Sequence, residues 1–161
     1  MIEIVPFSDA LQADVIDLIL PIQREEFGFP STVEGQPDLL DIPNFYQSGA
    51  GGFWVALDGP QVVGTIALRD IGNRQGALRK MFVRATHRGK AHSVAGQLLG
   101  HLVKASQGKL SDIFLGTTER YVAAHRFYEK NGFNRIAESA LPVAFPRLAA
   151  STRFYQLKVP E

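Results

Sequence analysis

The chain has 161 residues, 45% of them hydrophobic and 20% charged, the balance of a globular protein with a continuous core rather than of a disordered segment. Seventeen basic side chains against sixteen acidic ones leave a formal charge of +1, so no global field favours nucleic acid or an anionic membrane. With no cysteine, disulfides, zinc–thiolate sites and a cysteinyl acyl-enzyme are excluded.

Met1–Pro6 carries no basic start followed by an apolar stretch, and the longest apolar segments are broken by charges or prolines, so neither a signal peptide nor a membrane span is expected. The default expectation is a cytoplasmic protein, with residues 1–161 forming a single domain.

Ile2–Phe7 reads as a first strand. Ser8 or Asp9 is placed to cap a helix whose stripe is Leu11, Val15, Leu18, Ile19 and Ile22. Gly28–Pro37 reads as a loop, and Asp38–Gln47 as a weaker helical piece interrupted by Pro43. Phe53–Leu57 and Gln61–Arg69 flank the turn cluster Asp58-Gly59-Pro60, a hairpin signal, with Asp70–Gly76 as a second turn before a strand over Ala77–Val83. Val94–Ala105 is helical, with Val94, Leu98, Leu102 and Ala105 on one stripe. A short strand over Asp112–Leu115 precedes a helix over Arg120–Asn131, whose apolar side is Ala123, Ala124, Phe127 and Tyr128 and which Gly132 stops. Phe133–Glu138 and Arg153–Val159 read as closing strands. This order implies an α/β (α+β) fold with a mixed sheet covered by helices on both faces.

The chemistry concentrates in Met81–Ser93, between a strand and a helix. A turn that opens a helix leaves backbone N–H groups unpaired at the positive end of the helix dipole, which makes an anion site. Gly89, Ala91 and Ser93 are small enough for a diphosphate to approach, and Arg88 and Lys90 add charge. The spacing is neither a Walker A loop nor a Rossmann fingerprint. A basic loop before a helix start is also ordinary in α/β proteins, so the segment alone argues only for a diphosphate-sized anion.

Leu78–Ser93 resembles the pyrophosphate-binding motif of the GNAT superfamily of acyl-CoA N-acyltransferases, Arg/Gln-x-x-Gly-x-Gly/Ala after a strand ending in an apolar residue and valine. Ala123–Phe133 resembles the later signature of the same family, A-x-x-[FL]-Y-x-K-x-G-F, about 40 residues further on with a strand between. Ala91 and Ser93 stand where the pattern has glycine, a substitution tolerated at negative φ. Ala91 would resist a left-handed conformation by about 1 kcal/mol or more. Tyr121 stands where the family often has an asparagine that contacts the pantetheine arm.

The resemblance implies a GNAT fold with a mixed, mostly antiparallel sheet of six to seven strands. It implies acetyl-CoA as co-substrate, no metal, and transfer of the acetyl group to the amine of a small molecule in a ternary complex. A protein or peptide N-acetyltransferase and a non-catalytic acyl-CoA sensor are the alternatives. By resemblance, Met81, Phe82 and Val83 pair with the pantetheine amides, and Arg88, Gly89, Lys90, Ala91, His92 and Ser93 cradle the pyrophosphate. Tyr128 is the general acid for the departing thiolate, although a tyrosine packed under its helix is the bland reading.

Deprotonating the amine calls for a base. Where several relatives carry glutamate ahead of the loop, this chain has Arg79 and Lys80. Glu26 is therefore taken as the catalytic carboxylate and Glu25 as lining the acceptor site, with a solvated helix end as the counter-reading. His125 and Glu119 are weaker choices, and His101 reads as a helix-surface residue. Arg79 or Lys80, only one of which strand alternation would turn inward, points to an acceptor with an anionic group. Neither nucleic acid nor a membrane is an expected partner. The apolar stretch Phe145–Tyr155 reads equally as an internal lid or as cover for a partner's sheet edge in a homodimer.

Overall fold

The computed structural model describes every residue except Lys90, Ala91, His92 and Arg120. Among the described residues the chain forms strand β1 (Ile2–Pro6), helix α1 (Gln12–Pro21), the short helix α2 (Ile42–Phe45), strands β2 (Gly52–Asp58), β3 (Gln61–Gly72) and β4 (Gln75–Val83), helix α3 (Val94–Ser106), strand β5 (Asp112–Thr117), helix α4 (Val122–Lys130), and strands β6 (Asn134–Ile136) and β7 (Arg153–Lys158). The strands make one seven-stranded sheet in the order β1-β2-β3-β4-β5-β7-β6, antiparallel throughout except where β4 meets β5.

The expected stripe of α1 holds: Val15, Leu18, Ile19 and the following Ile22 are buried against Phe53, Val55, Val62 and Ala67. Its start differs. Ser8 precedes a 3-10 turn over Asp9–Leu11 and makes no side-chain cap, so the helix proper begins at Gln12. Pro21 cannot donate a helical hydrogen bond, and the chain widens after it into a π-helical turn over Ile22–Glu26, closed by Phe27 N–H donating to the Ile22 carbonyl at 3.2 Å.

The second turn is tighter than expected. β3 runs to Gly72 and β4 begins at Gln75, so the link is only Asn73-Arg74, both with positive φ (54° and 57°), as a type I′ hairpin requires. On the other face of the sheet, Val94, Leu98, Leu99 and Leu102 of α3 share one core cluster with Ile66, Leu68, Leu78, Ile113, Leu115 and Tyr128. In α4 the buried residues are His125 and Tyr128, whereas Ala123 is exposed, which corrects its assignment to the apolar side. The α4 stripe reaches the sheet one position later than hydrophobicity alone indicates, because His125 is satisfied internally: Nε2 lies 2.7 Å from the Thr118 carbonyl and Nδ1 2.5 Å from Arg153 Nη1.

Phe145 and Phe154 are buried within the chain, packed with Leu141 on Ala77 and Phe114 on the α1 face of the sheet, and Tyr155 is buried on the α3 face. The 138–152 segment and the residues following α1 thus wall opposite sides of that first face.

Candidate active site

β4 and β5 pair only at Gln75–Asp112, Gly76–Ile113 and Ala77–Phe114, although β4 continues to Val83 and β5 to Thr117. Beyond Ala77 the strands separate, and the outer backbone edge of Leu78–Val83 faces a gap rather than a neighbouring strand. A bulge in β4 accompanies the split: Thr65 opposes Phe82 and Ala67 opposes Arg79, so Lys80 and Met81 together face Ile66. Lys80 has φ 52°, and its carbonyl accepts a 2.8 Å hydrogen bond from the Thr65 hydroxyl. A bulge bends its strand and increases local twist, which opens the gap.

The bulge also overturns the alternation argument for Arg79 and Lys80. Leu78, Met81 and Val83 pack with the α3-side cluster, and Phe82 with the α1-side cluster. Lys80, the extra residue, turns with Arg79 toward the α1 face instead of opposing it. There its ammonium meets Asp38 Oδ2 at 3.5 Å and donates to Gln36 Oε1, with 9% of the lysine side chain and 6% of the aspartate side chain exposed. Tyr46, fully buried, donates its hydroxyl to the same Asp38 oxygen at 2.5 Å, and Gln36 exchanges hydrogen bonds with Gln23 of the π turn. Burial pushes the Lys80 ammonium below its usual range, with Asp38 opposing that shift; burial raises the Tyr46 hydroxyl. Lys80 is therefore already neutralised. Arg79 forms no ion pair among the described residues.

At the end of β4 the chain is pinned. Arg84 N–H donates to the Val63 carbonyl, and its guanidinium to the Val62 carbonyl at 2.9 Å. His87 is buried with Nε2 at 2.8 Å from Asp58 Oδ2 and Nδ1 at 2.8 Å from the Thr86 hydroxyl, tying the loop to the β2–β3 hairpin. Arg88 donates from Nε to the Val83 carbonyl at 2.8 Å and from Nη1 to Glu26 Oε1 at 2.6 Å. Gly89 has φ 99°, and Ser93, the residue before α3, has φ 51°. Ser93 thus adopts the left-handed conformation itself, so the negative φ at which such a glycine replacement is tolerated is not met at this position. Lys90, Ala91 and His92, expected to complete the anion loop, lie outside the described residues.

Tyr128 is 6% exposed, its ring 5.4 Å from Phe133 and 6.1 Å from Tyr155. Burial alone raises its hydroxyl above the usual tyrosine range, so it stays protonated at neutral pH. It belongs to the cluster against which Met81 and Val83 pack. Tyr121, preceding α4, stacks on Phe27 at 4.2 Å and so links the end of the π turn to the start of α4. Glu25 is exposed on the π turn, and His101 is exposed on α3 with Nδ1 at 3.1 Å from the Gln97 carbonyl. Glu119 pairs with Arg135 and Arg153, and His125 contacts Arg153, a cluster at the α4–β7 side. The Asp38–Tyr46–Lys80 network and the His87–Asp58 tie had no signature in the sequence beyond single polar residues in apolar surroundings.

No group of three or more metal-ligating side chains occurs among the described residues, and no helix among them is long and apolar enough to cross a membrane. A sheet split at β4 and β5, with a helix-opening loop after β4, defines an acyltransferase-type fold. The chain belongs to the Acetyltransferase (GNAT) family, which matches residues 16–133. It is 33% identical to an acetyltransferase of the GNAT family from Staphylococcus aureus, with a TM-score of 0.93 over 99% of this chain and 100% of that one. An N-acetyltransferase from Thermoplasma acidophilum, solved in complex with coenzyme A, shares the fold at a TM-score of 0.74 and 17% identity, over 98% of this chain and 99% of that one. Over 105 residues the chain is 39% identical to the N-acetylaspartate synthetase of Xenopus tropicalis, covering 62% of this chain but 37% of that protein. The chain spans between about a third and just over half the length of the curated relatives it matches.

Proposed function

We propose that this chain is an N-acetyltransferase that transfers the acetyl group of acetyl-CoA to the amine of a small molecule carrying an anionic group. The observation that carries the reading is the split between β4 and β5, in front of a pinned loop that opens α3. The backbone edge at Met81, Phe82 and Val83 has no strand beside it, although the Val83 carbonyl accepts from Arg88, and it fits an extended amide-bearing arm as an added strand would, so the residues present fit coenzyme A. Arg88, Gly89 and Ser93, with Lys90, Ala91 and His92 between them, hold the pyrophosphate at the positive end of α3. Acetyl-CoA supplies an activated thioester.

The chain's own contribution is position and polarity. The N–H groups of Phe82 or Val83 polarise the thioester carbonyl, and the Tyr128 hydroxyl, held protonated by burial, delivers its proton to the leaving sulfur. Glu26 receives the proton of the acceptor amine, with Glu25 beside it on the acceptor rim. Glu26, taken as the base, forms an ion pair with Arg88, taken as a phosphate ligand. Phosphate binding at Arg88 competes for that contact and frees the carboxylate. Arg79 holds the anionic group, since Lys80 is occupied by Asp38. The curated relative named N-acetylaspartate synthetase is in keeping with such an acceptor.

Calorimetric titration with acetyl-CoA and a thiol-release assay against an amine panel test this together. Saturable binding with turnover on amino acids, exceeding that on neutral polyamines, is expected. Binding with no amine-stimulated thiol release would overturn the enzymatic reading in favour of a sensor.

A further inference from the structure

Arg69 and Arg79 stand on the same face of adjacent strands. Arg79 opposes Ala67 and Arg69 opposes Ala77, so the two arginines are diagonal neighbours in the β3–β4 ladder, about 7–8 Å apart at the backbone. Ala67 is buried in the α1-side cluster, and Ala77 in the cluster formed with Leu141 and Phe145, which places both guanidinium stems on the face walled by α1 and by the 138–152 segment. The Arg69 guanidinium carbon lies 4.9 Å over the Phe45 ring of α2, a cation–π contact that does not use up its N–H donors. It also lines a cavity of about 330 Å³ with Asp70, Ile71, Ala144 and Pro146, between the end of β3 and the 138–152 segment.

The charges around these two groups are already accounted for. Asp38 is engaged by Lys80 and Tyr46, and the Asp70 carboxylate accepts from the N–H groups of Ala50 and Gly72 at 2.9 Å each. Neither Arg69 nor Arg79 has a carboxylate partner among the described residues. Two uncompensated, planar donors one ladder step apart match a ligand with two carboxylates separated by two or three carbons.

Building on the reading of this face as the acceptor site, we infer that Arg69 and Arg79 form a two-point clamp that selects an amino acid bearing two carboxylates. Arg79 engages the carboxylate nearer the reacting amine, beside the β4 bulge, and Arg69 engages the distal one at the rim. Arg69 is the residue that sets the preference for two carboxylates over one.

The test compares aspartate, glutamate and alanine as acceptors for the wild-type chain, Arg69→Gln and Arg69→Lys, with thiol release as readout and thermal unfolding as the fold check. Arg69→Gln is expected to lower kcat/KM for the dicarboxylates by on the order of tenfold or more through KM, and to leave kcat and the alanine value within about twofold. Arg69→Lys is expected to recover part of the loss, since charge without the planar fork remains. Equal loss on alanine and the dicarboxylates, or no dicarboxylate preference in the wild type, overturns the clamp. Calorimetry with aspartate on the acetyl-CoA-saturated protein separates the clamp from the transfer reading. Binding that weakens in Arg69→Gln supports the clamp even if no amine is turned over, and absence of binding to the wild type refutes it.

Discussion

Replacing Asp38 by asparagine isolates the electrostatics that hold the β4 bulge. The amide would keep the shape and an acceptor for the Tyr46 hydroxyl but remove the charge facing Lys80. At 3.5 Å and an effective dielectric of about 20, the lost attraction is about 5 kcal/mol. Lys80 can escape by folding as the neutral amine. Relative to its ordinary value of 10.5, that costs about 1.4 kcal/mol per pH unit, or about 5 kcal/mol near pH 7. The two limits agree, and with some relaxation a loss of about 3–4 kcal/mol is expected near neutrality, within the range for breaking a buried pair.

The pH dependence gives the sharper check. A lysine whose folded value is lowered binds fewer protons folded than unfolded, so stability rises with pH from the lowered value up to about 10.5. Removing Asp38 widens that window. Near pH 9.5 the cost of neutralising Lys80 falls to about 1.4 kcal/mol, and the gap between variant and wild type should shrink to about 1–2 kcal/mol. Urea unfolding near both pH values measures this directly, because Tyr46, the other group that Asp38 shifts, is raised mainly by burial and stays protonated at both. A loss below about 1 kcal/mol near pH 7, or the same loss at both pH values, would refute the reasoning.

Tyr128→Phe should lower turnover by on the order of a hundredfold while leaving acetyl-CoA affinity unchanged in a titration; an unaltered rate removes the hydroxyl from the reaction. Ser93→Gly relieves a left-handed serine worth about 1–2 kcal/mol, less about 0.5–1 kcal/mol for the freer unfolded chain. A net gain of up to about 1 kcal/mol is expected in thermal unfolding, and a loss would refute left-handed strain as the dominant effect at that position. Asp70→Asn weakens two charge-assisted bonds from Ala50 and Gly72 at a mostly solvent-exposed carboxylate, for about 1 kcal/mol at neutral pH. The Asp70 carboxyl is held below its ordinary 3.8, so the difference should persist above about pH 5 and fade as pH drops through the folded value.

Much of the architecture was legible from periodicity. The helical stripe at Val15, Leu18, Ile19 and Ile22 and the hairpin around Gly59-Pro60 follow from residue spacing that the core enforces. The tighter turn at Asn73-Arg74 escaped notice because a left-handed arginine has no compositional mark. The bulge at Lys80 escaped for a related reason: one extra residue in a strand leaves local hydrophobicity intact while moving the next side chain to the opposite face. Asp38 and Tyr46 looked like parts of a weak helix, since the reason for their burial lies across the fold at Lys80. Family motifs located the loop after β4 and the segment around Tyr128, yet could not reveal that Arg88 meets Glu26, a contact 62 residues apart in the chain.

The placement of β7 between β5 and β6 bears on how this protein is born. β5 and β6 each obtain an antiparallel neighbour only from Arg153–Lys158. On the ribosome, the first five strands can zip progressively, but β6 must wait beside an empty lane until the strand that follows it in sequence slides in. Tyr155, on that late strand, is one wall of the burial around Tyr128. The surroundings that keep the Tyr128 hydroxyl protonated are therefore completed only when the last strand is in place.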